Sequence, residues 1–188
     1  PPCQSWSEAG ALRGMEDARG KLFLEYIRII KDKKPLFFVA ENVSGILHSR
    51  HKDAFNSILK GFEELGYNVT YKLLNAKDYS VPQDRERVFV VGFLNNINFS
   101  FPNAIEKKVT LQDAIFDLKD SVKSYNPENQ DEFNHEYYTA GFSSMFMSRN
   151  RVRDWNEQSF TIQAGGRHAP IHPQAPKMDL IGKDKRVF

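Results

Sequence analysis

A thiol, a carboxyl and two guanidinium groups are the side chains of this sequence best suited to chemistry on an aromatic ring. The thiol is Cys3, the only cysteine among 188 residues. Pro1 and Pro2 precede it and leave it little backbone freedom. A lone cysteine forms no internal disulfide, so any chemistry it does is that of a thiolate nucleophile. Glu41 could exchange a proton with a ring nitrogen. Arg85 or Arg87 could hold a carbonyl oxygen and compensate charge. Each has a plainer reading. Cys3 could be a small buried hydrophobe. Glu41 could cap or pair locally. Arg85 and Arg87 alternate with Asp84 and Glu86, as at any solvated strand entry.

The elements that would position these groups alternate between helix and strand. Lys21 to Lys33 reads as an amphipathic helix, with Leu22, Tyr26, Ile29 and Ile30 at helical spacing and Pro35 beyond its end. Leu36 to Ala40 is an apolar run without alternation, as in a strand buried on both faces, and it leads into Glu41-Asn42-Val43. His51 to Leu65 reads as a second helix, with Phe55, Ile58, Leu59 and Phe62 on one face and Gly66 as its stop. Val69 to Leu74 and Arg87 to Phe93 read as further strands. The pattern predicts an α/β fold with a partial doubly wound, Rossmann-like sheet. Active groups in such sheets sit at the carboxyl ends of strands, where Glu41 falls. Asp120 to Glu136 is polar and reads as a linker or loop. The aromatic, basic remainder reads as a small irregular and β lobe. The expected division is residues 1–120 and residues 121–188.

Composition is that of a globular protein with no apolar run long enough for a membrane span. The single cysteine and the absence of a signal-peptide pattern suit a reducing interior. Net charge is +2, so an anionic partner would need a local basic patch. The first residue is not Met and the last ones carry no capping signal. Both ends therefore read as cuts in a longer protein.

Three blocks resemble signatures of the DNA (cytosine-5) methyltransferases: Pro2-Cys3-Gln4, Glu41-Asn42-Val43 and Gln83-Asp84-Arg85-Glu86-Arg87. They occur in that family's order, and the resemblance covers essentially the whole chain. It is closest to GGCC-specific modification methylases of the HaeIII type, through Ser148-Arg149-Asn150-Arg151-Val152-Arg153 and Ala164-Gly165-Gly166-Arg167. The resemblance implies a partial catalytic domain over 1–120 and a partial target-recognition domain over 121–188. It implies that Cys3 attacks C6 of a flipped cytosine, that protonated Glu41 hydrogen-bonds N3, and that Arg85 contacts O2. Arg87 is implied in support. Gln4 to about Arg19, rich in small residues, would form a lid over the base. Gln4, Ser7 and Gln83 would contact double-stranded DNA.

The methyl donor implied is S-adenosylmethionine. Pro2 and Leu22 match the edge of its pocket, and the family's glycine-rich turn and acidic ribose-binding residue have no counterpart here. The chain alone is therefore expected neither to bind the cofactor well nor to methylate, and to self-associate through uncovered sheet surface. Arg149, Arg151 and Arg153 recur at every second position, which in extended chain places them on one face with Trp155. Arg149, Arg151 and Arg167 would read guanines, or else contact phosphates, with Arg153 structural or phosphate-binding. The implied setting is a restriction-modification system in a bacterial cytoplasm, at the nucleoid. Two other readings are a non-catalytic DNA-binding module that keeps only the recognition lobe, and an unrelated thiol enzyme pairing Cys3 with a histidine.

Overall fold

The computed structural model describes residues 6, 22–95, 97–120, 123–124, 128, 136–137, 152–162, 172–175, 179–182 and 185–187. By packing, the chain forms two units. One comprises Pro1–Asn75 with Glu86–Ala104, the other Ala76–Arg85 with Ile105–Phe188.

The first unit is a three-stranded sheet with two helices. Helix α1 (Leu22–Lys33) leads into strand β1 (Phe37–Val43). Two short 3-10 turns follow, over Ser44–Leu47 and Ser49–His51, and then helix α2 (Lys52–Glu63). Gly66, at φ 88°, supplies the left-handed residue that ends the turn after α2 and releases the chain into strand β2 (Asn68–Asn75). After Arg85 the chain returns as Glu86–Phe93, labelled β4 because a short strand precedes it. The sheet order is β1-β4-β2. Both pairings are antiparallel, so β1 and β2 run in the same direction on either side of β4. The β1-α2-β2 segment is thus a crossover with an antiparallel strand between its two strands. The molecule is mixed α/β with a small sheet, and antiparallel pairing inside that sheet was not foreseen from the alternation of elements.

The register sets two faces. Phe38, Ala40 and Asn42 of β1 lie beside Gly92, Val90 and Val88 of β4 on the buried face. Phe23 and Ile30 of α1, with Phe55, Ile58 and Phe62 of α2, complete the core there. The Phe38 ring packs 4.4 Å from Phe62 and 5.2 Å from Tyr67. Glycine at 92 is required by that packing: a Cβ would overlap Phe38 Cε1 and lie 2.6 Å from Cζ. Burial along β1 alternates, which corrects the expectation of a strand buried on both faces. Phe37 and Val39 are exposed at 57% and 52%, and Phe37, Phe93 and Phe99 stack in sequence on that outer face. The apolar stripe of α1 is also rotated from expectation. Phe23 and Ile30 are buried, whereas Leu22 and Ile29 are exposed.

The second unit contains short strands. β3 (Gln83–Asp84) pairs in parallel with β7 (Ser159–Phe160), and Thr161 Oγ1 donates to the Asp84 carbonyl at 2.7 Å. Helix α3 (Leu111–Ile115) starts at a reciprocal cap between Thr110 and Asp113. The Leu111 and Gln112 amides donate to the Glu157 and Trp155 carbonyls. β5 (Lys123–Ser124) pairs with β6 (Glu136–Tyr137), and β8 (Asp179–Gly182) with β9 (Lys185–Val187). No helix among the described residues is long and apolar enough to cross a membrane. No group of three metal-ligating side chains is found among them either.

Candidate active site

Glu41 stands near the carboxyl end of β1 on the exposed face of the sheet, with its side chain 47% exposed. Antiparallel pairing brings the start of β4 to that end of β1. Val43 is the register partner of Arg87, and Glu41 that of Phe89. The two side chains therefore project from the same face on a diagonal, within reach of each other. Arg87 Nε lies 2.8 Å from Glu41 Oε1, with the arginine side chain 19% exposed. Arg87 Nη1 also donates to the Glu86 carbonyl at 2.6 Å, which fixes the plane of the guanidinium. The Arg87 contact given by Nε engages one of the two carboxylate oxygens.

The next residue, Asn42, points into the core and is 3% exposed. Its Oδ1 accepts from the Val43 amide at 2.9 Å. This local bond bends the chain out of β1 into the 3-10 turn just after Glu41. The Glu41-Asn42-Val43 block thus has a physical division of labour. Glutamate faces out, asparagine holds the turn, and valine packs against the core cluster.

Arg85 and Gln83 lie in the other unit. The Arg85 carbonyl accepts from the Ala76 amide at 2.9 Å, closing the Ala76–Arg85 excursion. Gln83 is half-buried and forms β3 with Asp84, whose carboxylate meets Lys77 Nζ at 3.1 Å. Leu22, assigned to the cofactor edge, begins α1 and is 42% exposed. Cys3, Pro2, Gln4, Ser7, Arg149, Arg151 and Arg167 lie outside the described residues.

Arg153 is held by contacts within its own unit. Its guanidinium carbon sits 3.9 Å from the centre of the Phe160 ring, and Nη1 bonds Glu157 at 3.0 Å. Such a stacked and paired arginine is a packing element. The chain turns at Trp155 and Asn156, so the alternating stripe does not continue to Trp155. That ring packs instead against Phe116 and His172.

Two residues of the first unit went unread in the sequence. Trp6 is completely buried, with its ring edge-on to Phe23 at 6.0 Å and to His51 at 5.1 Å. His51 is 4% exposed at the N-terminus of α2. Burial lowers its pKa, and His48 and Arg50 beside it push the same way. An aromatic residue in a small, polar stretch was the one available signal for Trp6.

The description C-5 cytosine-specific DNA methylase fits residues 1–188 as a family model. The Type II methyltransferase M.MthTI of Methanothermobacter thermautotrophicus is 56% identical over 195 residues, covering 100% of this chain and 59% of that protein. M.FnuDI of Fusobacterium nucleatum is 57% identical over 199 residues, covering 100% of this chain and 58% of that protein. The chain thus spans somewhat under two thirds of the length of these relatives. The crystal structure of a DNA modification methyltransferase encoded within an E. coli prophage has a TM-score of 0.58 at 19% identity, covering 86% of this chain and 62% of that one. That likeness is one of fold. With the family model matched from the first residue to the last, this chain belongs to the C-5 cytosine-specific DNA methylase family.

Proposed function

We propose that the protein containing this chain methylates C5 of cytosine in double-stranded DNA, within GGCC sites, as the modification enzyme of a restriction-modification system. The observation that carries the reading is Glu41, a half-exposed carboxyl near a strand's carboxyl end, oriented by Arg87 through one oxygen only. In the proposal, residues 1–120 are part of the catalytic domain and residues 121–188 part of the recognition domain.

Cytosine C5 is a poor nucleophile until C6 is attacked. Cys3 thiolate would add to C6, and the C5–C6 π pair would move toward C5. Glu41, carrying a proton, would hydrogen-bond N3 and stabilise the charge that builds there. Arg85 would hold O2. Loss of the C5 proton to a base after methyl transfer then reforms the double bond and breaks the C6–S bond. S-adenosylmethionine would supply the electrophilic methyl group. Among the described residues only Leu22 is assigned to it, and an exposed leucine offers apolar contact alone. The described residues thus do not by themselves make a site that fits the cofactor. The base must leave the duplex to be reached. Gln4, Ser7 and Gln83 would contact the DNA around it, and Arg149, Arg151 and Arg167 would read guanine edges.

The test supplies the chain with the remaining segments of a relative and measures labelled methyl transfer to duplexes with and without GGCC. Transfer confined to GGCC and abolished by Cys3→Ser is the expected result. Transfer that persists in Cys3→Ser refutes the mechanism, and equal transfer to all cytosines refutes the specificity.

A further inference from the structure

We infer that Arg50 and Lys52, on the linkage that follows Glu41, hold phosphates of the DNA backbone beside the target cytosine. The inference rests on the proposed reaction and adds to it a binding surface in the first unit. Strand β1 ends at Val43, and the chain then runs through the turns at Ser44–Leu47 and Ser49–His51 into α2. This linkage leaves the sheet at the end that carries Glu41 and the start of β4. Buried side chains pin it along its length. Ile46 is 1% exposed and His51 4%, and Val43 and Leu47 pack against the core cluster. His48, Ser49, Arg50 and Lys52 are exposed around those anchors. The backbone is tied as well. The His48 amide donates to the Gly45 carbonyl at 3.1 Å, and the His51 amide to the His48 carbonyl at 2.8 Å. His48 Nδ1 accepts from the Arg50 amide at 3.3 Å. The two cations therefore stand on a backbone that has little freedom left to lose when an anion binds.

Neither cation is neutralised. Among the described residues no carboxylate lies within ion-pair distance of Arg50 or Lys52, that of the adjacent Asp53 included. Elsewhere in the unit Arg28 pairs with Glu25 and Asp32, Lys60 with Glu64, and Arg87 with Glu41. Lys31, Lys33 and Lys34 are also unpaired, but they precede β1 and so lie at the opposite end of that strand from Glu41. Lys72 sits in the middle of β2, opposite Phe89. A net charge of +2 gives the whole chain little pull on an anion, so placement decides which cations matter. A 3-10 turn rises only about 2 Å per residue, which keeps Arg50 and Lys52 within about 25 Å of Glu41 along the chain. A duplex carries about one charge per 1.7 Å of its axis, so cations at that remove from the reacting base meet the phosphates that flank it. Arg50 would hold two phosphate oxygens with its fork, and Lys52 would act as a point charge. Such contacts fix where the duplex lies and carry no sequence information.

The test uses the chain joined to the remaining segments of a relative. Fluorescence anisotropy measures its affinity, across a salt series, for two labelled duplexes, one with a central GGCC and one without. Arg50→Gln and Lys52→Gln should each lower the slope of log affinity against log salt by about 0.9, and together by about 1.8. Referred to 1 M salt, each slope change is about an eightfold loss of affinity at 0.1 M. The loss should be equal on the two duplexes. Arg50→Lys, which keeps the charge, should keep the slope. An unchanged slope in the double substitution, or a loss confined to the GGCC duplex, would overturn the inference. A merely structural role for these side chains would leave the slope unmoved. If a glutamine variant fails to melt cooperatively, Arg50→Met and Lys52→Met are measured in its place. A parent that binds neither duplex defeats the proposed function and this contact with it. A parent that binds, with methyl transfer abolished by Cys3→Ser and no slope change in the variants, defeats the contact alone.

Discussion

The contact between Glu41 and Arg87 should be weak, as the role proposed for this carboxyl requires. Two unit charges at about 4 Å attract by about 4 kcal/mol at an effective dielectric near 20. That figure overstates this pair. Glu41 is 47% exposed, and only one nitrogen–oxygen contact, at 2.8 Å, joins the groups. Exposed pairs of this kind contribute about 0.2–1 kcal/mol once screening and side-chain entropy are counted. A coupling below 1.4 kcal/mol means that Glu41 leaves Arg87 with less than a tenfold population penalty. The assay is a double-mutant cycle by urea unfolding, with Glu41→Gln, Arg87→Met and both together. Arg87 keeps its bond to the Glu86 carbonyl when Glu41 is changed, so the cycle isolates the pair. The expected coupling is about 0.5–1 kcal/mol at low salt. It should shrink as the screening length falls from about 10 Å at 0.1 M toward 3 Å at 1 M. A coupling above about 2 kcal/mol that ignores salt would refute the reasoning, because the carboxyl would then be locked in place. No coupling at low salt would refute it from the other side.

Gly92→Ala should destabilise the first unit by about 1–3 kcal/mol, because its Cβ meets the Phe38 ring, itself 4% exposed and held by Phe62 and Tyr67. Thermal unfolding reads the loss, and adding Phe38→Leu should recover part of it. Arg153→Ala should cost about 1–2 kcal/mol through the lost stacking on Phe160, with equal effect on DNA of every sequence. Arg149→Ala and Arg167→Ala should instead lose roughly 1–3 kcal/mol of discrimination at one base pair in a binding assay. The Asp113 carboxyl is held below its usual range by the Thr110 backbone bond first and the Thr110 hydroxyl second. The stability it contributes is therefore present above the unfolded value of about 3.9 and is lost as pH falls through the lower folded value. Melting curves collected across acid pH should show a smaller loss below pH 4 in Asp113→Asn than in the parent.

Segment boundaries were the most legible part of the sequence, and orientation the least. Each helix and strand boundary of the first unit lies within two residues of its expectation, save that β1 continues past Ala40 to Val43, because Pro35, Gly66 and the apolar runs punctuate the chain. Which residues face inward was harder. An unbroken run such as Leu-Phe-Phe-Val-Ala carries no parity, so the exposure of Phe37 and Val39 could not be foreseen. On α1, stripes through Leu22 and through Phe23 differ by one helical step and hold similar apolar content. Strand direction depends on partners distant in sequence, and the meeting of Glu41 with Arg87 depends on it in turn. Arg153 alternates with its neighbours as a stripe residue would, yet Phe160, seven residues on, claims its guanidinium. Trp6 carries no periodic signal at all, and its burial follows from Phe23 and His51, which lie far along the chain.

The course of the chain between the two units has a consequence for any exchange of parts between related proteins. The second unit is discontinuous: Ala76–Arg85 belongs to it, separated from Ile105–Phe188 by β4 and the segment after it. β7 takes its strand partner from that excursion, through Gln83 with Ser159 and Asp84 with Phe160. A single cut near residue 120 would therefore leave Ser159 and Phe160 with no strand to pair against. A graft that carries this unit intact needs joints at three places, after Asn75, after Arg85 and after Ala104. Two of those joints flank the strand that brings Arg87 to Glu41. Modular replacement of this unit is thus constrained by the same ten-residue excursion that delivers the chain to β4.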